Sequence, residues 1–301
     1  QSRSSAASDV YKRQLYAALS SSTFGLAPLF TLLLLGLGYS SFEVLSYRWG
    51  VASLFLGALA LLAGRSFRLS WPELRTVFFL SLFRAATSLS LVIAYQHIAS
   101  GVASTIHFMY PLAVALAMMC FFREKGSVWV FAAIGMSIVG AVLLSLGNVD
   151  FTRGNTTLGM VSAAVSVVSY GGYIVGVRKS RAVGIDSTVL TCYVMGLGAL
   201  YFIAGGLVTG GIRIETDGTA WLCILGVALP ATAVSNMTLV QAIKRIGPTL
   251  TSVFGALEPL TAVVIGVAVF GEPFTVQGAA GILLIVAAVT IVILHSGRRK
   301  A

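Results

Sequence analysis

Apolar runs of about twenty residues recur along this chain, and loops of only a few residues collect most of its charged side chains. That length spans the hydrocarbon core of a bilayer as a helix. The runs show no period-2 alternation, so helices rather than barrel strands are the predicted spanning elements. Ten segments are expected: Leu15–Leu37, Phe42–Ala63, Val77–Tyr95, Val102–Phe122, Val128–Leu146, Leu158–Val177, Ser187–Val208, Thr219–Ile243, Pro248–Phe270 and Val276–Leu294. "GNVDFTRGNTT" (Gly147–Thr157) divides them into two sets of five.

Charge gives the sequence a direction. With the N-terminus cytoplasmic, thirteen Lys and Arg residues, from Arg65 to Lys300, fall in loops and tail on that side, against Arg153 and Arg213 opposite. This asymmetry predicts that both termini are cytoplasmic. Five is odd, so the two halves then lie in opposite orientations. They are also alike in sequence. At an offset of 148 residues, Pro259 falls on Pro111, Leu260 on Leu112, Glu272 on Glu124 and Ser252 on Ser104. At an offset of 146, "AALSSSTFG" (Ala17–Gly25) falls on "AAVSVVSYG" (Ala163–Gly171).

The expected fold is therefore an all-α polytopic membrane protein, with ten transmembrane helices as two inverted five-helix repeats around a central cavity. The expected divisions are 15–146 for the first repeat, 147–157 for a linker loop and 158–295 for the second repeat. Residues 296–301 form a basic cytoplasmic tail. Residues 1–14 read as a non-native extension, because "SAASDVYKRQ" resembles translated adapter sequence. Inverted repeats are a transporter signature, with the substrate held near the midplane between them.

Composition agrees. Of 301 residues, 57% are hydrophobic and 10% charged, with mean hydropathy +0.93; a soluble domain carries about 25% charged residues. The net charge of +10 is scattered through short loops, so nucleic acid is not an expected partner. Cys120, Cys192 and Cys223 and the three histidines form no metal-ligand spacing, so no metal or cofactor is expected. No Walker motif is present to couple ATP. An intramembrane enzyme, the remote alternative, usually needs paired acids, a Ser/His arrangement or a metal cluster.

Several motifs resemble the EamA family, the ten-helix branch of the drug/metabolite transporter superfamily. "AIKRIGPTLTSVFGALEPLTAVVIGVAVFGE" (Ala242–Glu272) resembles the family's ninth helix, and Ala94–Glu124 its fourth. "FGLAP" (Phe24–Pro28) resembles a motif of the first helix, Arg48 the arginine of the second, and Ala163–Val175 the sixth. The resemblance implies a central cavity, alternating access and movement of small polar metabolites, commonly outward across the bacterial inner membrane. Arg84 departs from the pattern, which is generally apolar or small at that place.

Candidate site residues follow from cost. A carboxylate or guanidinium deep in an apolar span is expensive and by default functional. Glu258 admits three roles: partner of Arg84 or Arg48, proton carrier, or ligand of a cationic group. Arg84, two turns into its span, balances Glu258 or attracts a substrate carboxylate. Arg48 lies nearer the outer end, where a headgroup or Glu43 is an equal candidate partner. His107 and Tyr110 share a helix face and suit proton coupling as well as packing. Asn236 is an uncharged candidate, and Tyr170, Tyr173, Trp49 and Phe24 can stack on a substrate. Pro28, Pro111 and Pro259 are expected helix kinks. An Arg and a Glu facing one cavity suit a zwitterion. The functional expectation is thus a secondary transporter exporting amino acids, facilitated or proton-coupled, as monomer or homodimer. Efflux of cationic drugs is the alternative.

Overall fold

The structure, a computed structural model, describes residues 14–98, 100–145, 154–261, 264 and 275–298. Among these residues every regular element is helical. Helix α1 spans Gln14–Gly36, α2 Ser41–Leu62 and α3 Trp71–His97. Helix α4 has two segments, Ser100–His107 and Tyr110–Phe122, and α5 spans Val128–Ser145. Helix α6 spans Thr156–Lys179, α7 Ser187–Thr209 and α8 Gly218–Ile246. Helix α9 begins at Pro248–Phe254 and resumes over 257–261; α10 spans Val276–Arg298. Seven of these helices (α1 to α4 and α6 to α8) are long and apolar enough to cross a membrane, and parts of α5 and α10 are shorter apolar helices. This is a polytopic membrane architecture. Residues 1–13, most of the expected linker, Phe270 and Glu272 at the expected end of α9, and residues 299–301 lie outside the described residues.

Local chemistry sets the helix starts. Ser40 and Glu43 form a capping box on α2: Glu43 N donates to Ser40 Oγ at 3.2 Å and Ser40 N to Glu43 Oε2 at 2.8 Å. Ser70 and Glu73 form another on α3, which is why α3 begins at Trp71, ahead of the apolar run expected from Val77. Asn155, Asp186 and Asp217 cap α6, α7 and α8, each with its side chain accepting a backbone N–H.

The most extensive helix contacts pair α2 with α7, α5 with α10 and α3 with α6. Hydrophobic side chains such as Leu54, Leu62, Phe121, Val168 and Leu207 point outward, as a surface solvated by lipid requires. Polar and charged side chains are buried instead: Arg48, Arg84, His107, Ser166, Thr232 and Asn236 are all at most 5% exposed. The α2–α7 seam closes tightly on Gly198, where a Cβ would lie 2.0 Å from Cζ3 of Trp49. Small residues permit such close approach where lipid offers no hydrophobic drive for association.

At one end of the bundle, Arg213 in the α7–α8 loop reaches the start of α2. Its backbone N and its Nε both donate to Glu43 Oε1, at 3.0 and 3.1 Å. Its Nη2 donates to the carbonyl of Gly38, and its guanidinium sits 4.1 Å from the centre of the Tyr39 ring. Tyr47 Oη donates to the Arg213 carbonyl at 2.5 Å and receives Glu215 N at 3.0 Å.

Gly198→Ala is expected to lower stability by about 1–3 kcal/mol, because the added methyl overpacks the seam. Gly50→Ala on α2, where nothing lies within 4 Å of a new Cβ, is the matched control and is expected to change little. Thermal unfolding of the two detergent-solubilised variants checks this.

Candidate functional site

The helices break where the sequence places its prolines. Turns at Gly25–Leu26, Phe108–Met109 and Gly255–Ala256 interrupt α1, α4 and α9. Pro28, Pro111 and Pro259 stand in the first turn of the segment that resumes after each. Proline suits that place, since the missing N–H would have no intrahelical partner there. At Gly255 the carbonyl freed by Pro259 is taken by Glu258 N at 2.9 Å, rather than left for cavity water. Helix α8 is interrupted differently, by a π-helical turn over Leu229–Val234 that contains Pro230. The continuous apolar run Thr219–Ile243 predicts no break there. Such π turns occur frequently at functional sites.

These interruptions meet around a buried cluster. Thr232 Oγ1, in the π turn, donates to Val227 O at 2.7 Å and receives Nε of Arg48 at 2.5 Å. One turn on, Asn236 Nδ2 donates to Thr232 O at 2.7 Å, while its Oδ1 accepts Nε of Arg84 at 2.8 Å. Nη1 of Arg84 also donates to Ser88 Oγ at 3.2 Å. One turn of α8 therefore anchors both arginines. Both guanidinium carbons face the Phe24 ring, 5.8 Å from its centre for Arg48 and 5.4 Å for Arg84. Arg84 also faces Tyr170 at 5.2 Å and Trp49 at 5.8 Å. Cation–π contacts of this kind contribute about 2 kcal/mol or more when desolvated.

Across the aromatic group sit the acceptors. Tyr110 Oη donates to Glu258 Oε1 at 3.2 Å. The Tyr170 ring packs edge-on to Tyr110 at 4.6 Å and stacks on His107 at 5.2 Å and on Phe24 at 6.3 Å. His107 Nδ1 lies 2.8 Å from Ser166 Oγ, whose hydroxyl donates to Ala163 O at 2.6 Å. With the Ser166 hydroxyl given to Ala163 O, His107 Nδ1 is the donor in that contact and Nε2 is left to accept; among the described residues Nε2 has no partner. Arg48 Nη2, Trp49 Nε1 and Tyr173 Oη are likewise buried without partners among the described residues.

Two sequence expectations are refined here. Arg84 makes no direct ion pair with Glu258 among the described residues, its hydrogen bonds going to Asn236 and Ser88 and those of Glu258 to Tyr110, but the two charges remain near enough to act on one another. Arg48 does not reach a headgroup or Glu43, which pairs with Arg213; it is buried among Thr232 and Phe24. The structure brings Arg48, Arg84, Asn236, His107, Tyr110 and Glu258 into one region, with Phe24, Trp49 and Tyr170 as walls. Tyr173 lies one helical turn beyond Tyr170 on α6. Sequence reading missed Thr232 and Ser166, because a lone hydroxyl in an apolar run gives no signal of the side it faces.

Two pairs in this region carry a further regularity. Tyr110 and Glu258 are 148 residues apart, the offset that aligns the two proline motifs. Phe24 and Tyr170 are aligned by the offset of 146. In both pairs a residue touches its own counterpart.

Comparison with known proteins agrees with this architecture. The model of the EamA-like transporter family matches residues 12–146 and again 157–294. The chain belongs to the EamA-like transporter family. It is 25% identical over 238 residues to an uncharacterized transporter of Archaeoglobus fulgidus, covering 79% of this chain and 83% of that one. It is 26% identical over 280 residues to the uncharacterized transporter YojE of Bacillus subtilis, covering 88% and 87%. A solved crystal structure superposes with a TM-score of 0.77 at 20% identity, covering 98% of this chain and 99% of the other; that likeness concerns the fold. As an EamA-like protein the chain is a multi-pass membrane transporter.

Asn236→Leu is expected to destabilise the protein by about 1–3 kcal/mol, since it leaves the buried Arg84 Nε–H without its acceptor. Adding Arg84→Met to that variant is expected to recover part of the loss, with a coupling of about 0.5–3 kcal/mol. Thermal unfolding of the two single variants and the double variant provides the cycle.

Proposed function

We propose that this EamA-like transporter exports amino acids or closely related small metabolites by alternating access between two inverted five-helix repeats. The observation that carries the reading is the coexistence of buried guanidinium groups and a half-buried carboxylate in one aromatic-walled region. A zwitterion needs both. The duplicated family match supports the repeat, as do the self-counterpart contacts Tyr110–Glu258 and Phe24–Tyr170. A residue of a two-fold duplicated fold touches its own counterpart only near the axis relating the halves, where a site reachable from both sides belongs.

In this reading the chain completes ten spans with both termini cytoplasmic, in a bacterial inner membrane. Residues 15–146 and 158–295 are the repeats, 147–157 the linker. The breaks before Pro28, Pro111 and Pro259 are where helices bend as access alternates. Glu258 gives a route to proton coupling. A carboxylate that holds either an ammonium group or a proton, but not both, exchanges one for the other across the membrane. Efflux of cationic drugs fits less well, because Arg48 and Arg84 repel a cation from the same region.

The test uses purified protein in liposomes preloaded with unlabelled amino acids. Protein-dependent counterflow of labelled amino acids is expected, with a pH dependence that flattens in Glu258→Gln. Exchange of a quaternary ammonium dye with no amino acid exchange would replace this reading with cation efflux.

A further inference from the structure

Among the described residues this region has an unequal charge count: two buried guanidinium groups, Arg48 and Arg84, against one half-buried carboxylate, Glu258. Among the described residues neither arginine makes an ion pair; the pairs recorded are Arg65–Asp186 and Arg213–Glu43. Their partners are neutral hydroxyl and amide groups and aromatic faces. An uncompensated buried guanidinium is costly. Two facing one phenyl ring are more so, because like charges repel.

The donors and acceptors also segregate. On the α2–α3 side, Nη2 of Arg48 and Nε1 of Trp49 are buried donors with no partner among the described residues. Trp49 adjoins Arg84, whose guanidinium carbon is 5.8 Å from its ring centre. On the α4–α9 side, Nε2 of His107 is a buried ring nitrogen with no partner among the described residues, and it accepts when Nδ1 donates to Ser166 Oγ. The His107 and Tyr110 ring centres are 5.3 Å apart, and Tyr110 holds Glu258. The Tyr170 ring stands between the two sides.

From this arrangement we infer that the site selects acidic amino acids, molecules with two carboxylates and one ammonium group. The inference rests on the amino-acid reading above and narrows it. Each charge of such a substrate meets one of opposite sign. One carboxylate takes the unpartnered Nη2–H of Arg48, and the other takes Arg84 with the Trp49 indole N–H. The ammonium group lies between Glu258 and the bare Nε2 of His107. A neutral amino acid leaves one guanidinium unpaired, and a dicarboxylate without an amine leaves Glu258 unpaired. Truncating a partner in this way is how a buried polar site discriminates most strongly.

The experiment compares counterflow of labelled aspartate and glutamate with leucine, threonine and succinate in the same proteoliposomes. Wild-type protein is expected to exchange aspartate or glutamate at least tenfold faster than leucine, threonine or succinate. In Arg48→Gln the ratio of aspartate to leucine exchange is expected to fall at least tenfold, and in Arg48→Lys to fall less. Leucine or threonine exchanging as fast as aspartate in the wild type overturns the inference while leaving the amino-acid reading intact. Succinate matching aspartate overturns the role given to Glu258 and His107. No exchange of any amino acid removes the broader reading instead. Should Arg48→Gln fail to fold, the wild-type selectivity remains decisive.

Discussion

A guanidinium group in a hydrocarbon-facing bundle must be satisfied by the protein or by what the protein binds, and this requirement organises the interior. Arg84 is 1% exposed. Holding it there takes an amide from α8, a hydroxyl one turn along α3, and three aromatic faces from α1, α2 and α6. Arg48 shares one of those faces and is tied to the same turn of α8. The π turn offers Thr232 as both anchor and relay, its hydroxyl to Arg48 and its carbonyl to Asn236. Irregular backbone inside a membrane protein is tolerated where it is buried in protein or lines a cavity. Here it supplies the polar atoms that a regular helix would keep for itself.

Much of this was legible in the sequence, and for identifiable reasons. Span positions follow from apolar length, which the bilayer fixes. Pro28, Pro111 and Pro259 announce the breaks because a proline cannot complete the ladder of the preceding turn. Arg84 and Glu258 stand out because a charge in an apolar run has no cheap explanation. The partnerships were not legible. Which way Asn236 faces depends on the extra residue of the π turn, and nothing in "LPATAVSN" marks that shift in register. Arg48 read as peripheral because distance along a helix was taken for depth; the packing of α2 against α7 and α8 encloses it instead.

The site also combines likeness with difference. Tyr110 and Glu258 occupy matching places in the two halves, yet one is a phenol and the other a carboxylate, and the first donates to the second. Had both been acids, two like charges would face each other at van der Waals range. Had both been phenols, the region would hold no anion among the described residues. Divergence at a self-contacting pair changes local charge without disturbing the backbone around it. It is also confined to the spot where the two halves cannot avoid each other, so a single substitution there alters the whole centre.

The fastening between Arg213 and Glu43 sits in quite different surroundings. The Arg213 side chain is 42% exposed and the Glu43 side chain 10%, so water receives the guanidinium when they part, while the carboxylate stays fixed by Ser40 N. Solvent screens the guanidinium end, so the pair parts at less cost than a fully buried one, where removing one partner costs about 3–5 kcal/mol. The clasp therefore has one half anchored in the protein and one half that water can take up, so it parts from the arginine side and leaves its carboxylate in place to be met again.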